Sequence, residues 1–239
     1  MTNRSATIKG YFYQFDHTIL QILEAASDNS SVIIEGIEDI DIEDGSNNVL
    51  VQCKYYEGTN YNHSVVKDAV IQMLRHYHNA GCLVQQNLRY CIFGHYQGGQ
   101  EKLKQPFDLN FFKNHFLTYT DQSKIKQQEN VRLGITDEQL AHFLNLLEIN
   151  INAPSYETQQ SQVIAQLKKQ IPSCEEEDAK AFYYPNAINE IQKHAAKKDI
   201  SDRKITKTKF LTAINRKEIV FSQWLHAKFG DEYYAKSIK

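Results

Sequence analysis

Val49-Leu50-Val51-Gln52-Cys53-Lys54-Tyr55-Tyr56 follows the acidic stretch Glu35-Gly36-Ile37-Glu38-Asp39-Ile40-Asp41 across the turn Asp44-Gly45-Ser46-Asn47-Asn48. β-Branched and aromatic residues on either side of a Gly/Asn-rich turn predict a hairpin. Strand side chains alternate, so Gln52 and Lys54 share one face while Cys53 points to the other. A lysine in the middle of such a strand is costly to bury without an anionic partner. Asp39 or Asp41, two residues apart and on one strand face, can supply it. An acid, an amide oxygen and an ammonium converging on a strand pair suit a divalent cation and a phosphate. The plainer alternative is an edge strand whose polar face meets solvent.

Upstream, Tyr11, Phe12, Phe15, Ile19, Ile22, Leu23 and Ala26 recur at three-to-four spacing and predict a helix over 10–26. Val32-Ile33-Ile34 opens a strand, with Ile37, Ile40 and Ile42 continuing it. Downstream, 57–62 reads as loop. Ser64 caps a helix to about Asn79, which Gly81 stops, and 88–96 is a further strand. The order α-β-β-β-α-β places the last two strands parallel through a right-handed crossover.

Beyond Phe107 strand signals fade. Thr136 opens a helix with Leu140, Phe143, Leu144 and Leu147 inward, and 156–171, 179–196 and 206–229 follow as further helices. The expected architecture is therefore α+β or α/β: a mixed sheet flanked by helices over 1–110, then an all-helical region over 111–239 serving assembly, regulation or DNA contact.

The chain has 239 residues, 41% hydrophobic and 23% charged, within the globular range. Four scattered cysteines do not form a secreted disulfide framework. No apolar run reaches the roughly 18 residues of a membrane span, and the first nine residues lack a signal-peptide core, so a reducing cytoplasm is the expected compartment. Residues 1–120 carry 9 Lys/Arg against 13 Asp/Glu, and 121–239 carry 18 against 16. Lys197, Lys198, Arg203, Lys204, Lys207 and Lys209 concentrate positive charge in a strip that reads either as a solvated face or as a phosphate contact. His76, His78, Cys82, Cys91 and His95 lack the paired spacing of a structural zinc site. There is no phosphate-binding Gly-Lys-Ser/Thr loop and no Gly-x-Ser-x-Gly elbow. Phe221, Trp224, Leu225 and Phe229 form an apolar stripe that reads as core or as a docking face.

Asp39, Gln52 and Lys54 resemble the Q-x-K variant of the PD-(D/E)XK, or restriction-endonuclease-like, nucleases, whose core has the same element order. Gly10-Tyr11-Phe12-Tyr13-Gln14, then Glu35-x-x-x-Asp39 and Gln52-x-Lys54, is similar to the double-stranded DNA endonuclease domain of bacterial anti-phage effectors. Those include cyclic-oligonucleotide-signalled effectors, Lamassu-type complexes and antiviral STAND NTPases. The resemblance covers about residues 8–96. It implies a Mg²⁺- or Mn²⁺-dependent endonuclease. Asp39, Gln52 and the main-chain carbonyl of Cys53 would hold the metal, with Glu35 and Gln14 at the site. Lys54 would orient the attacking water or steady charge on the phosphate. Gln52 replaces the usual second carboxylate, which lowers metal affinity unless Glu35 or Asp41 approaches. The implied partners are double-stranded DNA and either a second copy of the chain or another subunit of a defence complex. The alternative is a catalytically silent module of the same fold that binds nucleic acid or assembles with protein.

Overall fold

A computed structural model describes residues 4–45, 47–82 and 87–215. α1 (Arg4–Glu24) leads to β1 (Ser31–Ile34), β2 (Ile40–Asp44), β3 (Asn47–Asn60), α2 (His63–Asn79) and β4 (Leu88–Gly98). β2 pairs antiparallel with β1 and with β3, placing Ile40 opposite Val51. β3 and β4 are parallel, with Gln52 opposite Ile92, so α2 is the crossover. The protein is thus mixed α/β, with helices flanking the sheet.

Several boundaries differ from those predicted. α1 begins at Arg4 and passes through Gly10. A single glycine costs a helix only about 1 kcal/mol, which the packing of Ile19, Ile22 and Leu23 against the sheet outweighs. Ile37 is not in a strand and is 57% exposed. The Asp41 carboxylate takes the N–H groups of Ile37 (2.7 Å) and Glu38 (3.1 Å), which bends residues 35–39 into a turn. Residues 57–60 are strand, because pairing with β4 resumes at Asn60–Gly98 beyond an irregularity. Asn62, rather than Ser64, caps α2.

The second half is not all-helical. α3 (Leu109–Phe112), β5 (Thr118–Thr120), β6 (Lys126–Gln128), α4 (Glu129–Arg132) and α5 (Asp137–Leu146) come first. β7 (Leu147–Asn150), α6 (Tyr156–Gln170), α7 (Glu176–Asp178), α8 (Tyr184–Ala195), β8 (Lys204–Thr206) and α9 (Lys207–Ile214) follow. β7 joins the sheet parallel to β4, and β8 joins antiparallel to β1, giving the order β7-β4-β3-β2-β1-β8. These two strands are only four and three residues long, too short to show a periodicity of their own. Leu147, expected on a helix, therefore lies in β7.

Nor does the expected boundary near 110 separate two cores. On one sheet face Ile34, Ile40 and Val51 pack with Leu23 of α1 and with Leu167, Ile191 and Phe210 from the second half. On the other face Leu50, Tyr90 and Ile92 pack with Met73 and Tyr77 of α2 and with Phe112 and Phe143. The expected helix over 206–229 is described only to Ile214, and the Trp224 stripe lies outside the described residues. Among the described residues no helix is long and apolar enough to cross a membrane.

Two features of this frame are testable. At Gly36 an added Cβ would overlap the Asp41 carboxylate. Gly36→Ala should displace that carboxylate from the Ile37 and Glu38 amides and destabilise the protein by about 1–3 kcal/mol. Urea unfolding measures this, and an unchanged midpoint would contradict the turn geometry.

Glu129 is fully buried, and burial alone would raise its pKa. Its bonds from Arg132, Arg75 and Tyr119 outweigh that and hold it down to about 2. Its stabilising effect is therefore complete above the ordinary carboxylate range and is lost as pH falls toward 2. Thermal melts between pH 5 and 2.5 should show a steeper acid loss for wild type than for Glu129→Gln.

Candidate functional site

β2 stops at Ile40 while β3 continues, so β3 leaves a backbone edge without a strand partner beyond Val51. Asp39, the residue before β2, fills that gap with its side chain. Its Oδ2 accepts the Cys53 N–H at 2.8 Å and also the Gln52 side-chain amide. N–H and C=O of one strand residue project to the same side, so the Cys53 carbonyl also faces the Asp39 edge. The Cys53 thiol points the other way, into the core beneath α1, and burial pushes its pKa well up. A thiolate nucleophile there is unsupported.

The turn that carries Asp39 is closed by Glu35 N–H to Asp39 C=O at 2.9 Å. Glu35 adopts a left-handed backbone, φ 53°. Gln14, 6% exposed on α1, donates to Glu35 Oε1 at 2.7 Å and to the Asp39 carbonyl at 3.3 Å. Gln14, Glu35, Asp39, Gln52 and Cys53 thus come together from α1, the turn and β3. Asp41, left open as the metal carboxylate, accepts the Ile37 and Glu38 amides, whereas Gln52 and Cys53 donate to Asp39.

Burial raises the pKa of Asp39. The Cys53 N–H and Lys54 oppose that shift, and Glu35 adds to it. Lys54 is half-buried and makes no ion pair with a carboxylate among the described residues; it acts on Asp39 and Glu38 through space. Glu38 is the residue that sequence reasoning missed. It is 8% exposed, and burial, with Asp39 and Asp41 adding, pushes its pKa up to about 7. The signal was the Glu38-Asp39 pair of adjacent acids, which alternation assigns to opposite faces but a turn brings to one side.

The donor set fits a hard cation. Asp39, Glu35 and the Cys53 carbonyl offer oxygen, which suits Mg²⁺ or Mn²⁺. No group of three His, Cys, Asp or Glu side chains suited to a metal occurs among the described residues. A site of two carboxylates, a carbonyl and waters is what Mg²⁺ commonly accepts. Gln52 turns its NH₂ toward Asp39 here, so ligation by its oxygen requires the amide to rotate.

The basic strip does not form one open face. Lys207 is buried, donating to the Ala25 carbonyl at 2.8 Å, and Lys204 pairs with Glu43. Lys197 donates to the Asp202 carbonyl at 2.8 Å. Arg203 is spent on the carbonyls of Glu35, Lys197 and Lys198. Lys198, Lys204 and Lys209 are the exposed members, and of these Lys204 is held by Glu43. Sequence showed the charge but not that loop and strand backbones would engage it.

No protein-family model, curated protein or solved structure matches this chain.

A neutral isostere tests whether Asp39 is a burden to the fold. With its amide oxygen in the place of Oδ2, Asp39→Asn can keep both the Cys53 and the Gln52 bonds while removing a half-desolvated charge beside Glu35. In metal-free buffer its melting temperature should equal or exceed wild type. A loss beyond about 2 kcal/mol, the range of a broken buried polar contact, would make Asp39 structural.

Proposed function

We propose that the chain is a metal-dependent DNA endonuclease of the restriction-endonuclease-like kind, acting in anti-phage defence. The observation that supports it best is the convergence of Asp39, Glu35, Gln14, Gln52 and the Cys53 backbone at the open edge of β3, with Lys54 beside them. A Mg²⁺ or Mn²⁺ ion bound there would neutralise charge on the phosphate and on the leaving oxygen. Asp39 and Glu35 would hold that cation, and Gln14 orients Glu35 through its amide. Lys54, with no carboxylate in ion-pair contact, directs its ammonium charge at the phosphate and at the attacking water. Two copies of the chain, or a partner subunit, would bring two such sites to the two strands of a duplex.

The same arrangement also favours a second reading. Asp39 is already satisfied by Cys53 and Gln52, and Gln52 stands where nucleases of this kind carry a carboxylate. A silent module that binds nucleic acid or protein needs no more than this.

Plasmid cleavage in Mg²⁺, in Mn²⁺ and in EDTA separates the two. Cleavage that EDTA abolishes is expected. Lys54→Ala should keep its circular dichroism spectrum and lower cleavage by at least ~10²-fold, the scale of losing one preorganised charge aimed at the transition state. DNA binding should persist, since phosphate contacts are spread over many residues. A folded Lys54→Ala protein that cuts at the wild-type rate would sink the assignment and favour the module.

A further inference from the structure

The turn bearing Glu35 and Asp39 is held from two sides. Gln14 reaches it from α1 through the side-chain oxygen of Glu35. Arg203 reaches it from the second half of the chain through the main chain: Nη1 donates to the Glu35 carbonyl at 2.7 Å. The same guanidinium donates through Nε to Lys197 C=O at 2.8 Å and through Nη2 to Lys198 C=O at 3.3 Å. Its charge therefore rests on carbonyl dipoles just past the C-terminal end of α8, where a cation is favoured.

Three features single out this contact. Glu35 is a non-glycine residue with φ 53°, a conformation that costs energy and persists only where its surroundings fix it. Arg203 immediately precedes β8, which pairs Lys204 with Ile33 two residues before Glu35, so the clamp is registered to the turn by strand pairing. Finally, Arg203 and Glu35 sit side by side in the wall of a groove of about 640 Å³ lined by Tyr11, Phe12 and Phe15, so the clamp borders open space rather than core. A planar fork that spans three carbonyls at fixed spacing is a task that lysine cannot perform.

We propose that Arg203 is a positioning residue for the cation site: it fixes the Glu35 main chain and so sets the spacing of the Glu35 and Asp39 carboxylates. This rests on the cation-site reading above. It also couples that site to the second half of the chain, because Arg203, β8 and the end of α8 all belong to that half. Arg203 acts through the backbone and need not touch DNA.

The test uses the full chain with Arg203→Met, Arg203→Lys and, as a control at the adjacent residue, Lys204→Met, which removes the pair with Glu43. Amide hydrogen exchange of the metal-free proteins is read over residues 35–41, and Mn²⁺ uptake is read by paramagnetic resonance with Asp39→Asn as the blank. Arg203→Met should speed exchange in that segment and weaken Mn²⁺ binding about 10- to 100-fold, as loss of an outer partner of a metal site does. Arg203→Lys should fall between, and Lys204→Met should match wild type in both. Should Arg203→Met fail to fold, Arg203→Lys carries the comparison. Unaltered exchange and affinity in the Arg203 variants, or equal effects from Lys204→Met, would overturn the positioning role while leaving the cation site standing. Wild-type protein that takes up no Mn²⁺, or that loses none with Asp39→Asn, would overturn the cation site and this proposal with it.

Discussion

The acceptance of the Cys53 N–H by the Asp39 carboxylate is the contact on which the site depends. A strand that outruns its neighbour exposes backbone donors, and a buried donor without a partner costs about as much as a lost hydrogen bond. Here one side chain takes the place of the missing strand. The same oxygen collects the Gln52 amide, so one carboxylate fixes the end of β2, the course of β3 and the orientation of Gln52. Because Asp39 sits in a turn, whatever holds the turn holds the carboxylate. Asp41 grips it from within, through the amides of Ile37 and Glu38. Gln14 grips it from α1 and Arg203 from beyond α8.

That dependence explains why the second half of the chain matters to a site whose residues all lie in the first. β1 would be an edge strand with unpaired backbone, and β8 covers it. α6, α8 and α9 then close the sheet face under α1, where Leu167, Ile191 and Phe210 meet Ile34 and Val51. Glu129, bonded to Arg75 of α2 and to Arg132 and Tyr119, secures the opposite side in the same way.

The long amphipathic elements were legible in the sequence. Alternation placed Leu50 and Gln52 against Val51 and Cys53, and the structure sends Val51 and Leu50 to opposite cores. Helix periodicity found α1, α2, α5 and α6 to within a few residues, except at the start of α1. What was not legible depends on partners distant in sequence. β7 and β8 are strands because a neighbouring edge needs them, not because Leu147–Asn150 or Lys204–Thr206 alternate strongly. The basic strip reads as free charge until the carbonyls that absorb Arg203 and Lys207 are in view. Around Asp39, the sequence named Gln14, Glu35 and Gln52, which the structure places beside it, whereas the burial of Glu38 and the different donors that Asp39 and Asp41 accept were not legible. Both follow from the bend at Glu35, a left-handed residue that no local pattern announces.

The charge balance of the site follows from the same geometry. With a carboxylate at position 52, three acids would face one another beside a half-buried lysine, and mutual repulsion would favour protonation of one of them. Gln52 removes one charge and adds a donor, so the Asp39 carboxylate is met by two N–H groups and, at longer range, by the Lys54 ammonium. The fold can then hold Asp39 at the edge of its core with no cation at hand. Rotating the Gln52 amide exchanges a hydrogen bond to Asp39 for an oxygen facing the same space. On the proposed reading, this rotation lets one residue serve both forms: it stabilises the carboxylate in the metal-free protein and supplies a neutral ligand when the cation arrives. Cation binding on that reading would require only a side-chain turn, with the backbone of β3 and the clamped turn already in place.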